Sequence, residues 1–94
     1  MVRVMVTVPE ATRSAMAFAR AALGEERTKG LQLEEIESGT EGSVDVWRIT
    51  LSMADSDALD PYAVLSGRRD YKAFAVAKET GEVLSMKIRA LSQA

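Results

Sequence analysis

The sequence predicts a single α+β domain, in which one helix packs on a four- to five-stranded antiparallel sheet in the order strand, helix, meander. The chain has 94 residues, which is enough for one small core but not for two. Its apolar pattern changes at Pro9 from alternation to a helical stripe, and four further strand-like segments with turn signals between them follow. Residues 1–94 are therefore interpreted as one domain.

The N-terminal part predicts a strand followed by a helix. Valines alternate with other residues over Val2–Val8, which favours a strand. Pro9 suits the first turn of a helix, the segment up to Leu23 is rich in alanine, and Gly24 is a suitable stop. The apolar stripe of this helix comprises Ala11, Ala15, Phe18 and Ala22, with Ala19 and Leu23 alongside.

The middle of the chain predicts a hairpin. Leu31, Leu33 and Ile36 indicate a strand, and because the apolar positions slip by one between Leu33 and Ile36, we expect a bulge. Segment Ser38–Ser43 is typical of a flexible loop. Val44–Met53 alternates strictly, with Trp47 on its apolar side, and is the clearest core strand.

The last third predicts a second hairpin, with strands over Asp70–Ala77 and Glu82–Arg89 around the turn Lys78–Gly81. Before it, Asp60 and Gly67 bracket a short helical turn over residues 61–66, and residues 90–94 are expected to fray. The predicted core comprises Phe18, Ala22, Leu33, Trp47, Ile49, Leu51, Phe74, Val76, Leu84, Met86 and Ile88.

Charge is unevenly distributed along the chain. The formal net charge is −2, yet residues 31–60 are strongly acidic whereas residues 1–30 and 61–94 are basic. Antiparallel neighbours of opposite charge could pair internally, or the uneven charge could form an interaction surface. Nothing in the sequence forms the basic stripe of a nucleic-acid binder, so we expect no nucleic-acid partner.

The composition excludes several kinds of site. The chain contains neither cysteine nor histidine, which rules out disulfides, thiolate or imidazole metal ligands and a histidine base. The N-terminal residues lack the apolar region of a signal peptide, and no uncharged stretch is long enough to span a membrane. We therefore expect a cytoplasmic protein without a membrane span.

Three groups of residues are candidates for chemistry. Asp55, Asp57 and Asp60 depart from a calcium loop at three positions. The acidic run at Glu34, Glu35 and Glu37 would place Glu34 opposite to the other two in a regular strand. Tyr62 and Tyr71 could serve an acid–base pocket without histidine. None of these groups matches its chemistry well, so we predict no catalytic, cofactor-binding or metal-binding residues and no cofactor.

Two binding features remain open. Arg68 and Arg69 could contact an anionic group, or they could simply solvate a loop. Trp47 could belong to the core, or it could line a groove or an interface.

The pattern resembles a PepSY-type small domain, with a cystatin-like α+β arrangement. The matching parts are the helix Ala11–Leu23, the strand Leu31–Glu37, the strand Val44–Met53 and the run Thr80–Leu84, which reads TGEVL. The resemblance covers roughly residues 10–89. It implies modulation of peptidases and contacts with other proteins, and it implies no catalytic residues.

We therefore predict a non-catalytic binding or regulatory module whose partner the sequence does not identify. The alternative is a structural homo-oligomer without a small-molecule ligand. Self-association as a homodimer is expected through a sheet edge at Val2, Val4 and Val6, or through the outer face of the sheet at Val44 and Val46.

Overall fold

The computed structural model describes residues 5–54 and 69–89. It contains one helix, α1 (Val8–Leu23), a 3₁₀ helix (Glu26–Thr28) and four strands, β1 (Gln32–Glu41), β2 (Val44–Ala54), β3 (Arg69–Ala77) and β4 (Val83–Ile88). The strands form one antiparallel sheet in the order β1-β2-β3-β4. Helix α1 packs on one side of it, here called the helix face, and the other side is called the open face. The predicted α+β class is confirmed.

Helix α1 begins with a complete capping box. The Glu10 backbone N–H donates to Thr7 Oγ1 at 3.2 Å, and the Thr7 N–H donates to Glu10 Oε1 at 2.8 Å. These bonds lower the pKa of the Glu10 carboxyl. The predicted stop at Gly24 is confirmed: its φ of 88° lies in the left-handed region, which glycine adopts without steric cost.

The strand predicted over Val2–Val8 is wrong where the structure describes it. Residues 5–7 form no strand, and Val8 is the first residue of α1; Val2 and Val4 lie outside the described residues. The physical reason is that the Thr7–Glu10 capping box fixes the start of the helix inside the alternating valine pattern. Because no first strand precedes the helix in the described residues, the described sheet is four-stranded.

The core lies between α1 and the helix face. Helix residues Ala11, Ala15 and Ala19 are fully buried there, and they are small enough for α1 to lie close to the sheet. Four sheet residues complete the buried cluster: Ile49, Leu51, Phe74 and Val76. Trp47 and Met86 are half-buried against it. The core prediction is therefore confirmed for the four buried sheet residues and confirmed in part for Trp47 and Met86.

Five other predicted core residues are exposed, and the prediction is wrong for them: Phe18, Ala22, Leu33, Leu84 and Ile88. Phe18 is 38% exposed but still packs edge-on against Phe74, with the ring centroids 6.4 Å apart. Ala22 lies at the exposed end of the helical stripe. Leu33 and Ile88 lie on the outer strands of the sheet.

Leu84 is displaced from the core by a register shift between β3 and β4. Val76 lies opposite Val83 and Phe74 lies opposite Met86, so the strand accommodates one extra residue between these pairs. Since Ala75 pairs with Ser85, the extra residue is Leu84 itself, and Val83 takes the position opposite Val76 that strict alternation predicts for Leu84.

The first hairpin is tighter than predicted. Strand β1 continues to Glu41, which pairs with Val44, so the loop expected over Ser38–Ser43 is wrong and the turn consists of Gly42 and Ser43 alone. Gly42 has a φ of 60°, the conformation that a two-residue hairpin requires at its first position. The bulge expected between Leu33 and Ile36 is confirmed, since the register shifts between Leu33 and Glu35.

The second hairpin is confirmed, with Gly81 at a φ of 78° in its turn. The helical turn predicted at residues 61–66, with Asp60 and Gly67 at its ends, lies outside the described residues, as do the predicted tail at residues 90–94 and the aspartates Asp55 and Asp57.

Candidate interaction surface

Three arginines lie across the open face, and each connects its own strand to another part of the sheet or to the segment before it. Arg48 on β2 donates from Nη1 to Glu41 Oε1 at 3.1 Å and from Nη2 to the Thr40 carbonyl oxygen, both on β1. Its side chain passes directly over Gly39, where an added Cβ would lie 2.7 Å from Arg48 Nε. A glycine at this position therefore lets the guanidinium lie flat on the sheet.

Arg89 spans the whole width of the sheet. Its Nη1 donates to Thr50 Oγ1 on β2 and to Glu35 Oε1 on β1, both at 2.6 Å. The backbone N–H of Arg89 donates to the Tyr71 carbonyl oxygen on β3, so the side chain must cross β3 to reach these partners. The β3 residue paired with Thr50 is Ala73, whose small side chain leaves room for this crossing.

Arg69 joins the sheet to the segment before β1. Its Nε donates to Ser52 Oγ at 2.8 Å, and its Nη2 donates to the Gly30 carbonyl oxygen. Ser52 Oγ in turn donates to Glu34 Oε2 at 2.5 Å, and Gln32 Nε2 donates to the same oxygen at 2.7 Å. The Arg69 guanidinium is therefore engaged with the protein itself.

The β1 bulge changes the arrangement of the acidic run. Glu34 accepts a hydrogen bond from Ser52, and Glu35 accepts one from Arg89, which also donates to Thr50. Ser52 and Thr50 both lie on the open face. The expectation that Glu34 points opposite to Glu35 is wrong, because the register shift at this position turns the two carboxylates to the same side. Each carboxylate has its own hydrogen-bond partners.

Glu34 is expected to contribute a pH-dependent stability. The hydrogen bonds from Ser52 and then from Gln32 lower the pKa of its carboxyl. A carboxyl with a lowered folded-state pKa stabilises the fold above its ordinary pKa, and this contribution is lost as the pH falls through the lowered value. The Ser52→Ala substitution should therefore raise the pKa of Glu34 toward its ordinary value, as an NMR titration of the Glu34 carboxyl carbon will measure.

Gln32→Ala is the matched control for that titration, since it removes the weaker of these two hydrogen-bond effects on Glu34. We expect it to raise the pKa of Glu34 less than Ser52→Ala does. An unchanged pKa in Ser52→Ala would contradict the hydrogen bond that the structure shows.

On the helix face, Trp47 is closed off by neighbouring groups. Its indole Nε1 donates to the Val6 carbonyl oxygen at 3.3 Å, and Lys78 Nζ lies 4.3 Å from the ring centroid while it bonds to Ser38 Oγ. Trp47 is half-buried against the core cluster, so the interpretation as a core residue fits better than that of a groove.

The residues predicted for an interface and for an anion contact differ from one another in exposure and in hydrogen bonding. Val44 is 43% exposed at the end of the open face, whereas Val46 beside it is fully buried. Val6 is half-buried, and its N–H donates to the Lys78 carbonyl oxygen at 2.7 Å. Val2, Val4 and Arg68 lie outside the described residues, and Arg69 is held as described above.

A shallow concavity of about 440 Å³ lies beside Val44, where the two hairpin turns meet. Its apolar part comprises Val44, Ala77 and Leu84, and it is bordered by polar and acidic residues, among them Asp45, Glu79 and Glu82. The sequence interpretation missed this feature, because Leu84 was assigned to the core.

The outer strands β1 and β4 present a second candidate surface. Within the described residues neither has a neighbour on its outer side, and each carries an exposed apolar side chain: Leu33 on β1 is 41% exposed and Ile88 on β4 is 84% exposed. Unpaired backbone groups beside exposed apolar side chains are a template for pairing with another chain. The alternating valines predicted a sheet edge over Val2–Val8, whereas the outer strands of the described sheet are β1 and β4. Two tight hairpin turns that join consecutive strands would have indicated these outer strands.

Other kinds of site find no support in residues 5–54 and 69–89. No group of histidine, cysteine, aspartate or glutamate there could hold a metal ion. No helix there is long and apolar enough to cross a membrane. Tyr71 is half-buried on β3, and Tyr62 is not described.

Comparison with known proteins gives no match: no family model, no curated protein and no solved structure is similar to this chain. The resemblance to a PepSY-type domain stays a prediction.

Proposed function

We propose that this chain is a non-catalytic binding module that contacts a protein partner through the outer strands of its sheet. The observation that carries the proposal is the pair of unpaired strands β1 and β4, with Leu33 and Ile88 exposed on them. An extended segment of a partner could add to either strand through backbone hydrogen bonds, and the exposed apolar side chains would then be covered.

The charges of the open face support a binding role over a catalytic one. Arg48, Arg69 and Arg89 are all engaged with groups of the protein itself. The pKa of Glu34 is lowered, whereas a general acid that works near neutral pH needs a raised pKa. Buried side-chain nitrogen and oxygen atoms in the described part of the chain all have hydrogen-bond partners, as expected for a structural network.

The PepSY-like resemblance supports the same role, since it implies contacts with other proteins. We keep a cytoplasmic location and self-association, which the sequence predicts as a homodimer, as parts of the proposal. A structural homo-oligomer is the alternative, in which the same outer strands bind only further copies of the chain.

A pull-down from the native source tests the proposal with three baits: the wild-type chain, the double variant Leu33→Lys and Ile88→Lys, and the control Ala17→Lys. The control adds a lysine at an exposed position on α1, away from the outer strands. We expect the wild type and the control to recover a stoichiometric foreign protein, and the double variant to lose it.

Equal recovery by the double variant would contradict a contact through the outer strands. Recovery of the chain alone by the wild type would favour the structural alternative. Circular dichroism on each bait shows whether the fold is retained, because a misfolded bait would also lose a partner.

A further inference from the structure

We propose that β4 of one copy of this chain pairs with β1 of a second copy, antiparallel and with Ile88 opposite Ile36, so that the sheet continues from copy to copy. The inference rests on the proposed function and names a second copy of the chain as a partner. Backbone direction, hydrogen-bond phase, charge and exposed apolar surface each support it.

The backbone directions are compatible. Neighbouring strands of the sheet are antiparallel in the order β1-β2-β3-β4, so β1 and β4 run in opposite directions. A second copy that lies beside the first in the same orientation therefore presents its β1 antiparallel to β4. The helices of the two copies then lie on the same side of the extended sheet.

The hydrogen-bond phase of β4 follows from one backbone contact. The N–H of Arg89 donates to the Tyr71 carbonyl oxygen on β3 at 2.9 Å. Since the backbone groups of a strand point alternately to its two sides, Lys87 also points to β3, whereas Met86 and Ile88 point outward.

The phase of β1 follows in the same way. The N–H of Lys78, which continues β3, donates to the Asp45 carbonyl oxygen, so by alternation Arg48 on β2 directs its backbone groups toward β1. Arg48 pairs with Glu37, which therefore points inward, and Ile36 and Ser38 point outward. Ile88 opposite Ile36 is thus a register in which the outward groups of both strands meet.

Charge favours the pairing of unlike edges. Strand β1 carries four glutamates and no basic residue, whereas β4 with the following Arg89 carries two basic residues and no acidic one. In the proposed register Lys87 lies opposite Glu37 of the second copy. Pairing of β1 with β1, or of β4 with β4, would place like charges together, which is unfavourable.

Glu37 and Lys87 are available for this contact. Both are exposed, and within the described residues neither side chain has an ion pair or hydrogen bond. They differ in this from Glu35 and Arg89, which already pair with each other. Glu37 and Lys87 can therefore be substituted without the loss of an internal contact.

The apolar side chains agree with the register. Ile88 pairs with Lys72 at the outer end of the sheet and is the most exposed of the large hydrophobic residues described. Ile36 is opposite Ile49 on the helix face, and the proposed register places Ile88 on the same face beside it. Pairing would remove part of the Ile88 side chain from water.

Such a contact joins two different surfaces of the chain, so it is head-to-tail. It has no two-fold axis and leaves a free β1 at one end and a free β4 at the other, and further copies can add. Sedimentation velocity should therefore show a series of species that grows with concentration, and not a single dimer.

Charge reversal tests the contact directly. In the variant Glu37→Lys, the introduced lysine of one copy would meet Lys87 of the next, and in Lys87→Glu two glutamates would meet. We expect each variant alone to associate more weakly than the wild type, with a dissociation constant raised roughly tenfold. An equimolar mixture of the two variants should recover the association, because each contact between unlike copies again joins opposite charges.

Two control variants change the charge by the same amounts at exposed positions away from the outer strands: Glu25→Lys and Arg27→Glu, near the 3₁₀ helix. We expect each to associate like the wild type. A wild type that stays monomeric at high micromolar concentration, or a mixture that associates no better than the single variants, would overturn the inference. Neither result decides the proposed function, which the foreign partner in the pull-down tests separately.

Discussion

Replacing Phe74 by alanine is expected to lower the free energy of unfolding by about 3–5 kcal/mol. Phe74 is the largest of the fully buried side chains and lies in the middle of the helix face, opposite Ile49 on β2 and Met86 on β4. Its removal leaves a cavity beneath α1 that rigid strands on both sides cannot fill. A small domain is stable by about 5–15 kcal/mol in total, so urea titration should show a large loss.

Phe18→Ala is the matched control, since it removes the same side chain from the other member of the edge-on pair. Phe18 is 38% exposed, so we expect Phe18→Ala to lower the free energy of unfolding by less than Phe74→Ala does, by about 1–2 kcal/mol. The double variant should show a coupling of about 0.5–1.5 kcal/mol between the two rings. A greater loss in Phe18→Ala than in Phe74→Ala would contradict the burial that the structure shows.

The central part of the fold could be predicted from the sequence because its signals are local and regular. Strand β2 alternates without interruption, and the turn around Gly81 and the stop at Gly24 each depend on a glycine with a positive φ. Ile49, Leu51, Phe74 and Val76 lie on central strands, where the helix covers them. For such residues, periodicity and burial agree.

The sequence interpretation was wrong where burial depends on tertiary position. Leu33 and Ile88 follow the apolar alternation, but they lie at exposed positions on the outer strands. Conversely, Val46 is buried on the open face, although the helix lies on the opposite side of the sheet. Periodicity identifies the side of a strand on which a residue lies, but it does not identify what covers that side.

The hydrogen-bond network on the open face could not be predicted from the sequence, for a different reason. Arg89 and Glu35 are 54 positions apart, and their contact depends on the bulge in β1 and on the small side chain of Ala73 in the row between them. The charge distribution indicated that acidic and basic segments could pair, yet it could not identify the partners. Sheet register decides them, and one shifted residue would change every pair.

The second large effect is expected from Ala15→Leu, which should lower the free energy of unfolding by about 1–3 kcal/mol. Ala15 lies between Ala11 and Ala19 on the side of α1 that packs against the sheet, and all three are fully buried. Because the helix lies close to the sheet along this row, three additional carbon atoms fit only if the helix moves away or the neighbouring side chains leave their preferred rotamers.

Ala17→Leu separates this packing effect from any effect on the helix itself. Ala17 lies on the same helix but is exposed, and leucine has nearly the helix propensity of alanine, so its stability should change by no more than about 0.5 kcal/mol. Equal stability of the two variants in urea titration would contradict a close contact of α1 with the sheet at Ala15. A loss of stability confined to Ala15→Leu would show that the small side chains set the distance between helix and sheet. The two sites would then differ only in the space available between the helix and the sheet, since both receive the same side chain in the same helix.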